Sequence, residues 1–154
     1  CSQSRGLGDV YKRQGLDFFQ IDSNYVVKAK IMPIHNAKKV KLSTSTGSQL
    51  TVIKYAELIF MINTKEYKLF VYKYVNSTDY PPNHLFLPFL DKTNGDKTYG
   101  GGRYLDLYQN STDKITIDFN NSYNPLCAYN ELYSCPIVPK ENFLDVSINA
   151  GVKY

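Results

Sequence analysis

From Gly15 onward hydrophobic and polar residues alternate with a period of two, the signature of half-buried strands rather than helices. The stretches YVVKAKIM (25–32) and KKVKLS (38–43) alternate or nearly so, with HNAK between them as an irregular link. AELIFMINTKEYKLFVYKY (56–74) reads as a hairpin turning at Asn63 and Thr64. Pairing Ile62 with Lys65 sets Phe60 opposite Tyr67, Leu58 opposite Leu69 and Ala56 opposite Val71 on the core face. The other face then carries Glu57, Ile59 and Met61 against Phe70, Lys68 and Glu66. HLFLPFL (84–90) is a short apolar strand in which Pro88 lacks a ladder donor, which predicts an edge position or a bend there. Residues 91–95 form a turn, RYLDLY (103–108) and KITIDFN (114–120) are further strands, and FLDVSINAG closes the pattern.

Between residue 120 and that last stretch the chain reads NSYNPLCAYNELYSCPIVPKEN, too rich in Asn, Pro and Cys for regular structure. No segment sustains a helical period. The expected fold is mostly β, a single antiparallel β-barrel or β-sandwich-like domain with an irregular C-terminal Asn/Pro/Cys-rich loop.

The bulk properties agree with that picture. A chain of 154 residues with 43% hydrophobic and 21% charged residues supports one domain with a real core. Fourteen tyrosines and eight phenylalanines, with no tryptophan, suit a pleated surface. The net charge of +4 is spread among scattered lysines, so no basic stripe for nucleic acid is expected. No apolar run is long enough for a membrane helix. Residues 1–14, CSQSRGLGDVYKRQ, break the pattern, and SRGLGDVYKRQ resembles translated adapter sequence. The domain is therefore expected over 15–154, truncated at its natural N-terminus, with any export signal lost and Cys1 beside the foreign stretch.

Candidate chemistry centres on YGGGRYLDL (99–107). A phosphate loop needs a Lys and a Ser or Thr after its glycines and then a helix, whereas Arg103 follows here and opens a strand. Gly100, Gly101 and Gly102 are expected to form a corner in which the backbone takes positive φ or passes close to another segment. Pairing 103–108 with 114–120 sets Tyr108 opposite Lys114, Asp106 opposite Thr116 and Tyr104 opposite Asp118. Leu107 then meets Ile115, Leu105 meets Ile117, and Arg103 lies beside Phe119 at the end of the core face. A buried arginine needs acceptors, from glycine-corner carbonyls or from a carboxylate, with Glu141 the first choice.

Several of these segments carry a resemblance. LFLPFLDKTNGDKTYGGGRYLDL, IDFNNSYNPLCAYNELYSCPIVPKEN, the closing SINAGVK and the opening GLDFFQID closely resemble a bacterial family known only as a domain of unknown function, with predicted lipoproteins among its members. The resemblance spans roughly residues 15–153 and implies no activity. It places Arg103, Asp106, Asp118, Asn120, Asn124, Cys127, Tyr129, Cys135, Pro136, Glu141 and Asn142 on the family's motif positions, and it implies a periplasmic, lipid-anchored or secreted setting.

Cys127 and Cys135 are separated by seven residues, which admits a disulfide, free thiols or metal ligation. His35 and His84 stand isolated in sequence, so no metal site and no cofactor are expected. A disulfide, favoured in an oxidising compartment, would add about 2.5 kcal/mol on a chain-entropy argument. Asp106, Asp118 and Glu141 have the chemistry of a general acid and base, yet also that of acceptors for Arg103 and backbone amides. Tyr99, Tyr104, Tyr108, Tyr123 and Tyr129 have the chemistry to line a pocket. The leading expectation is a cell-envelope β-domain that binds a small or extended polar ligand at a polar cluster of Arg103, Asp106, Asp118, Asn120, Asn124, Tyr129, Glu141 and Asn142. The alternatives are a carboxylate- or thiol-dependent hydrolase using the same cluster with Cys127, and a structural module that docks other proteins at a sheet edge.

Overall fold

A computed structural model describes residues 16–154; Cys1 and the adapter-like segment 1–14 lie outside the described residues. Seven strands follow in order: β1 (Val26–Pro33), β2 (Lys39–Ser43), β3 (Gln49–Ile62), β4 (Lys65–Tyr74), β5 (His84–Phe89), β6 (Arg103–Tyr108) and β7 (Lys114–Asp118). They form one antiparallel sheet, in the order β6-β5-β4-β3-β1-β7 with β2 beside the first half of β3, that curls into a nearly closed barrel. Among the described residues there is no α-helix, only short 3-10 turns.

The β3–β4 hairpin has the register the alternation predicts, from Ile62↔Lys65 through Phe60↔Tyr67 and Leu58↔Leu69 to Ala56↔Val71. Asn63 makes the turn at φ 57°, in the left-handed region that asparagine tolerates best after glycine. The other predicted pairing is wrong. β6 pairs with β5, from Phe89↔Arg103 to His84↔Tyr108, and β7 pairs with β1, from Val26↔Asp118 to Lys30↔Lys114. The far side of β6 is taken by the C-terminal coil, where Tyr104 N–H donates to the Tyr123 carbonyl at 2.9 Å and Tyr123 N–H returns the bond at 3.0 Å. That exchange leaves no ladder there for β7. Face assignment survives because it depends on alternation alone: Leu105, Leu107, Ile115, Ile117 and Phe119 all point into the core.

Two apolar layers result. Inside the barrel, Leu58, Phe60, Leu69, Leu85, Leu87, Phe89, Leu105 and Ile117 meet Leu144, Ile148 and Ala150 from the C-terminal coil. On the outer face that coil covers a second cluster that includes Val52, Tyr72, Phe86, Tyr104, Tyr123 and Val138. β5 lies between the layers and is buried at all six positions, which explains why its sequence is a continuous apolar run.

Pro88 places β5 not at an edge but between β4 and β6, with its β4 ladder reduced to the single pair Tyr72↔Phe86. Antiparallel pairing would next set Phe70 opposite Pro88, where proline has no N–H to give. Asn142 fills that joint. Its Oδ1 accepts from Phe70 N–H at 2.9 Å, and its Nδ2 donates to the carbonyls of Phe70 and Pro88, each at 2.8 Å.

Candidate functional site

Arg103 does not stand at a ligand-facing corner. It is fully buried, with its guanidinium 5.2 Å from the Phe89 ring centroid. Nη2 donates to the Ile148 carbonyl at 2.9 Å, and Nη1 to the carbonyls of Ala150 and, at 3.4 Å, Val152. These alternate residues present their carbonyls to one side, and the guanidinium does for them what a neighbouring strand would do. The carboxylate partner is Asp91, not Glu141: Asp91 Oδ2 lies 3.5 Å from Nη2, accepts from Ile148 N–H at 2.7 Å, and shares the Thr93 hydroxyl with Oδ1 at 2.9 Å. Burial pulls the Arg103 pKa down and Asp91 opposes that pull. Phe89↔Arg103 pairing brings residue 91 back beside residue 103, a consequence of the β5–β6 hairpin that a β6–β7 pairing hides. At the glycine corner, Gly102 has φ 94°, and a Cβ there would lie 2.7 Å from the Phe89 carbonyl oxygen; at Gly100 the space is open enough for one.

The remaining predicted residues separate into different jobs. Asp118 Oδ1 accepts from Asn120 N–H at 3.0 Å and Asn120 Nδ2 at 2.9 Å, and Asn120 ties down Asp22 through that residue's N–H and carbonyl. Glu141 pairs with Lys54 at 2.8 Å and accepts from Tyr72 at 3.3 Å. Buried Asn124 donates to the Tyr129 hydroxyl at 2.7 Å. Arg103, Asp118 and Glu141 thus hold separate sets of partners.

Asp106 alone among the predicted carboxylates bonds to a wall residue of a cleft, without itself lining it. Its Oδ1 lies 2.7 Å from His84 Nε2, with side-chain exposures of 4% and 2%, and its Oδ2 accepts from the Tyr123 hydroxyl at 2.8 Å. His84↔Tyr108 and Phe86↔Asp106 pairing brings His84 and Asp106 together, so His84 is not the isolated residue its sequence context suggests. Tyr80 stacks on the imidazole with centroids 3.9 Å apart, and Tyr74 stacks on Tyr80 at 5.3 Å. Against this stack opens a cleft of about 310 Å³ walled by Tyr74, Tyr80, Tyr104, Tyr123, Tyr133 and the Cys135–Pro136 turn. A second depression of about 270 Å³ shares the Tyr74 and Tyr80 wall and reaches His84 from the other side. Tyr99, Tyr108 and Tyr129 do not line the cleft.

The electrostatics of the cleft are those of neutral groups. Burial, followed by the charge of Asp106, raises the pKa of Tyr74, Tyr80 and Tyr123, and burial raises that of Tyr104, whose hydroxyl donates to the Pro136 carbonyl. These phenols stay protonated. Burial, followed by the contact with Cys127, pushes the Cys135 thiol up to about 12. Cys127 and Cys135 are free thiols in contact, with Cys127 N–H donating to Cys135 Sγ at 3.1 Å. Among the described residues no three His, Cys, Asp or Glu side chains converge to hold a metal ion, and no helix is long and apolar enough to cross a membrane.

The family model for the proteins of unknown function designated DUF1684 matches residues 12–153. The chain belongs to that family. A solution NMR structure of an uncharacterized protein of Haloarcula marismortui resembles this DUF1684 chain with a TM-score of 0.74 and 33% identity, over 90% of the chain and 76% of the other. No curated protein matches it.

Two residues central to this DUF1684 architecture were not among the predicted ones. Asp91 is hidden in a turn of ordinary composition, and its role follows only from the β5–β6 register. His84 opens an apolar strand, and the signal was its position at the start of a run buried on both faces, where an imidazole must find a polar partner.

Proposed function

We propose that this chain is a binding domain whose ligand is an uncharged ring compound with flat C–H faces and hydroxyl edges, a sugar in chemical class, held in the tyrosine-walled cleft above the Asp106–His84 pair. One observation carries the reading: the cleft's walls contain no ionised side chain, only aromatic faces, prolines, Leu126, Ser134 and a protonated thiol. Aromatic faces stack on C–H faces, and protonated phenols hydrogen-bond to hydroxyls without asking for a counter-charge. This cleft is reached by Tyr104, the neighbour of Arg103 on β6, whose side chain points to the other face of the strand, while the arginine serves the core. The separate partners of Asp118 and Glu141 support binding over hydrolysis, since no two of the candidate carboxylates meet at one place as a general acid and base would.

We also propose that the domain works in an oxidising compartment of the cell envelope, where the touching Cys127 and Cys135 close into a disulfide that stiffens one cleft wall. The neighbouring thiols and the family resemblance support this setting.

The cleft is tested by thermal melting with glucose, galactose, N-acetylglucosamine and maltose. A binding sugar at ten times its Kd stabilises by about 1.4 kcal/mol, which raises Tm by roughly 3–6 °C for a domain of this size. Tyr133→Ala, at a half-exposed wall, should leave the unliganded Tm nearly unchanged and abolish the rise. No shift with any of the four sugars, or a shift that Tyr133→Ala preserves, would refute the proposed site.

A further inference from the structure

Away from the cleft, β1 serves two neighbours with its two halves. It pairs with β3 only from Lys30↔Ile59 to Pro33↔Ala56, and with β7 only from Val26↔Asp118 to Lys30↔Lys114. Ahead of Lys30 the sheet therefore splits between β1 and β3. A groove of about 620 Å³ opens there, bounded by residues 26–30 of β1 and by Ile59, Phe60 and Met61 of β3.

The direction of the main-chain groups along the split follows from one bond. Ile34 N–H donates to the Tyr55 carbonyl at 3.0 Å, so alternate residues 34, 32, 30 and 28 turn their N–H and C=O toward β3, and 55, 57, 59 and 61 turn theirs toward β1. Lys30 and Ile59 satisfy each other. Lys28 on one bank and Met61 on the other have no cross-strand partner in this ladder among the described residues, while Val26 N–H is taken by the Ser23 carbonyl of the preceding turn. Val26 and Met61 are also 43% and 50% exposed, so both banks present apolar side chains to solvent.

The charge on the banks is one-sided. Lys28, Lys30 and Lys114 line the groove against the single acid Glu66. Lys30 and Lys114 stand directly opposite each other across the β1–β7 ladder, an arrangement that repels. None of the three lysines has an ion-pair partner among the described residues.

We propose that this split is a docking site for an extended acidic segment of a partner polypeptide, which enters as a strand between β1 and β3. Unmatched main-chain groups on two banks are what an added strand pairs with. Three lysines over one glutamate select an acidic segment, with acidic side chains on the outward face relieving the Lys30–Lys114 repulsion. This site is separate from the tyrosine-walled cleft and stands or falls independently of it.

The test uses amide chemical shifts of the whole chain titrated with a blocked heptapeptide alternating Glu and Val, with a Lys–Val peptide, and with a Glu–Val peptide N-methylated at alternate residues. Shifts are expected at Val26, Lys28, Ile59 and Met61 with the first peptide, and at least tenfold weaker binding with the other two. Lys28→Glu combined with Lys114→Glu, both at exposed positions, should weaken binding at least tenfold while leaving the fold's spectrum intact. Equal binding of the N-methylated peptide would overturn strand addition in favour of charge attraction alone. Shifts confined to other surfaces, or no shift at millimolar peptide, would overturn the site. A concentration-dependent dimer in sedimentation that protects the same amides would assign the split to a second copy of this chain and equally overturn it.

Discussion

Asn142→Ala removes the amide that joins β4 to β5 where Pro88 interrupts the ladder. Three bonds are lost, at 2.9, 2.8 and 2.8 Å, and the side chain that makes them is fully buried. Each such bond contributes about 1 kcal/mol net, while a strand group left unpaired costs about 1–3 kcal/mol unless water replaces the partner. With water entering part of the vacated volume, the expected loss is about 4 kcal/mol, or a Tm lowered by roughly 8–16 °C. Asn142→Asp keeps an acceptor for Phe70 N–H but loses both donors and sets a charge against two carbonyls, so at neutral pH it should destabilise at least as much. Asn120→Ala is the comparison: its bonds to Asp22 lie in a half-buried site open to water, and its loss should be about 1 kcal/mol. Urea unfolding gives the free energies, and hydrogen exchange at the Phe70 amide gives a local readout that should accelerate in both Asn142 variants. If Asn142→Ala costs no more than Asn120→Ala, or leaves Phe70 exchange unchanged, the amide is not the joint between the two strands.

Two further outcomes follow from positions described above. Gly102→Ala, forced to φ 94° with its Cβ 2.7 Å from a carbonyl oxygen, should lose more than about 2 kcal/mol, whereas Gly100→Ala should stay within about 0.5 kcal/mol in the same melting assay. For the thiols, intact mass after alkylation without reductant, on protein exported to an oxidising compartment, should show Cys127 and Cys135 unlabelled. In the reduced fold at pH 8, Cys135 should carry about 10³-fold less thiolate than in the unfolded chain, and its alkylation should slow accordingly. The sign is fixed by the pKa raised from 9.0 to about 12: the folded thiol keeps its proton where the unfolded one loses it, so this contribution to stability falls as pH rises from about 9 toward 12. Rapid labelling of native Cys135 would contradict the burial argument.

Alternation in the sequence was enough to sort the β3–β4 hairpin residue by residue and to choose the inward face of β6 and β7. It could not choose their partners. A five-residue connection between RYLDLY and KITIDFN looks like a hairpin loop, and only the coil around Tyr123, distant in sequence, shows that the side of β6 is already taken. The wrong partner for β6 then produced the wrong carboxylate for Arg103, because Asp91 comes near only through β5. Asn142 was legible as a member of a polar cluster, but not as a substitute for a ladder bond, since that depends on which strand lies beside a proline. The tyrosines of the cleft were legible in part: Tyr104 and Tyr123 line it, while Tyr74, Tyr80 and Tyr133 come from elements whose meeting place no period reports.

The partners of Arg103 also bear on how the chain is made. Its carbonyl acceptors lie 45, 47 and 49 residues downstream. A ribosome that has just released Arg103 still holds or has yet to join every one of them, so the guanidinium cannot leave water when its own strand emerges. β3 and β4 can form a hairpin early from neighbouring residues, but the barrel cannot seal around Arg103 until residue 152 is free of the exit tunnel. Closure of the barrel therefore waits on residues far downstream of β6, and in the interval the open barrel exposes the apolar faces of β5 and β6 to whatever chaperone meets the growing chain.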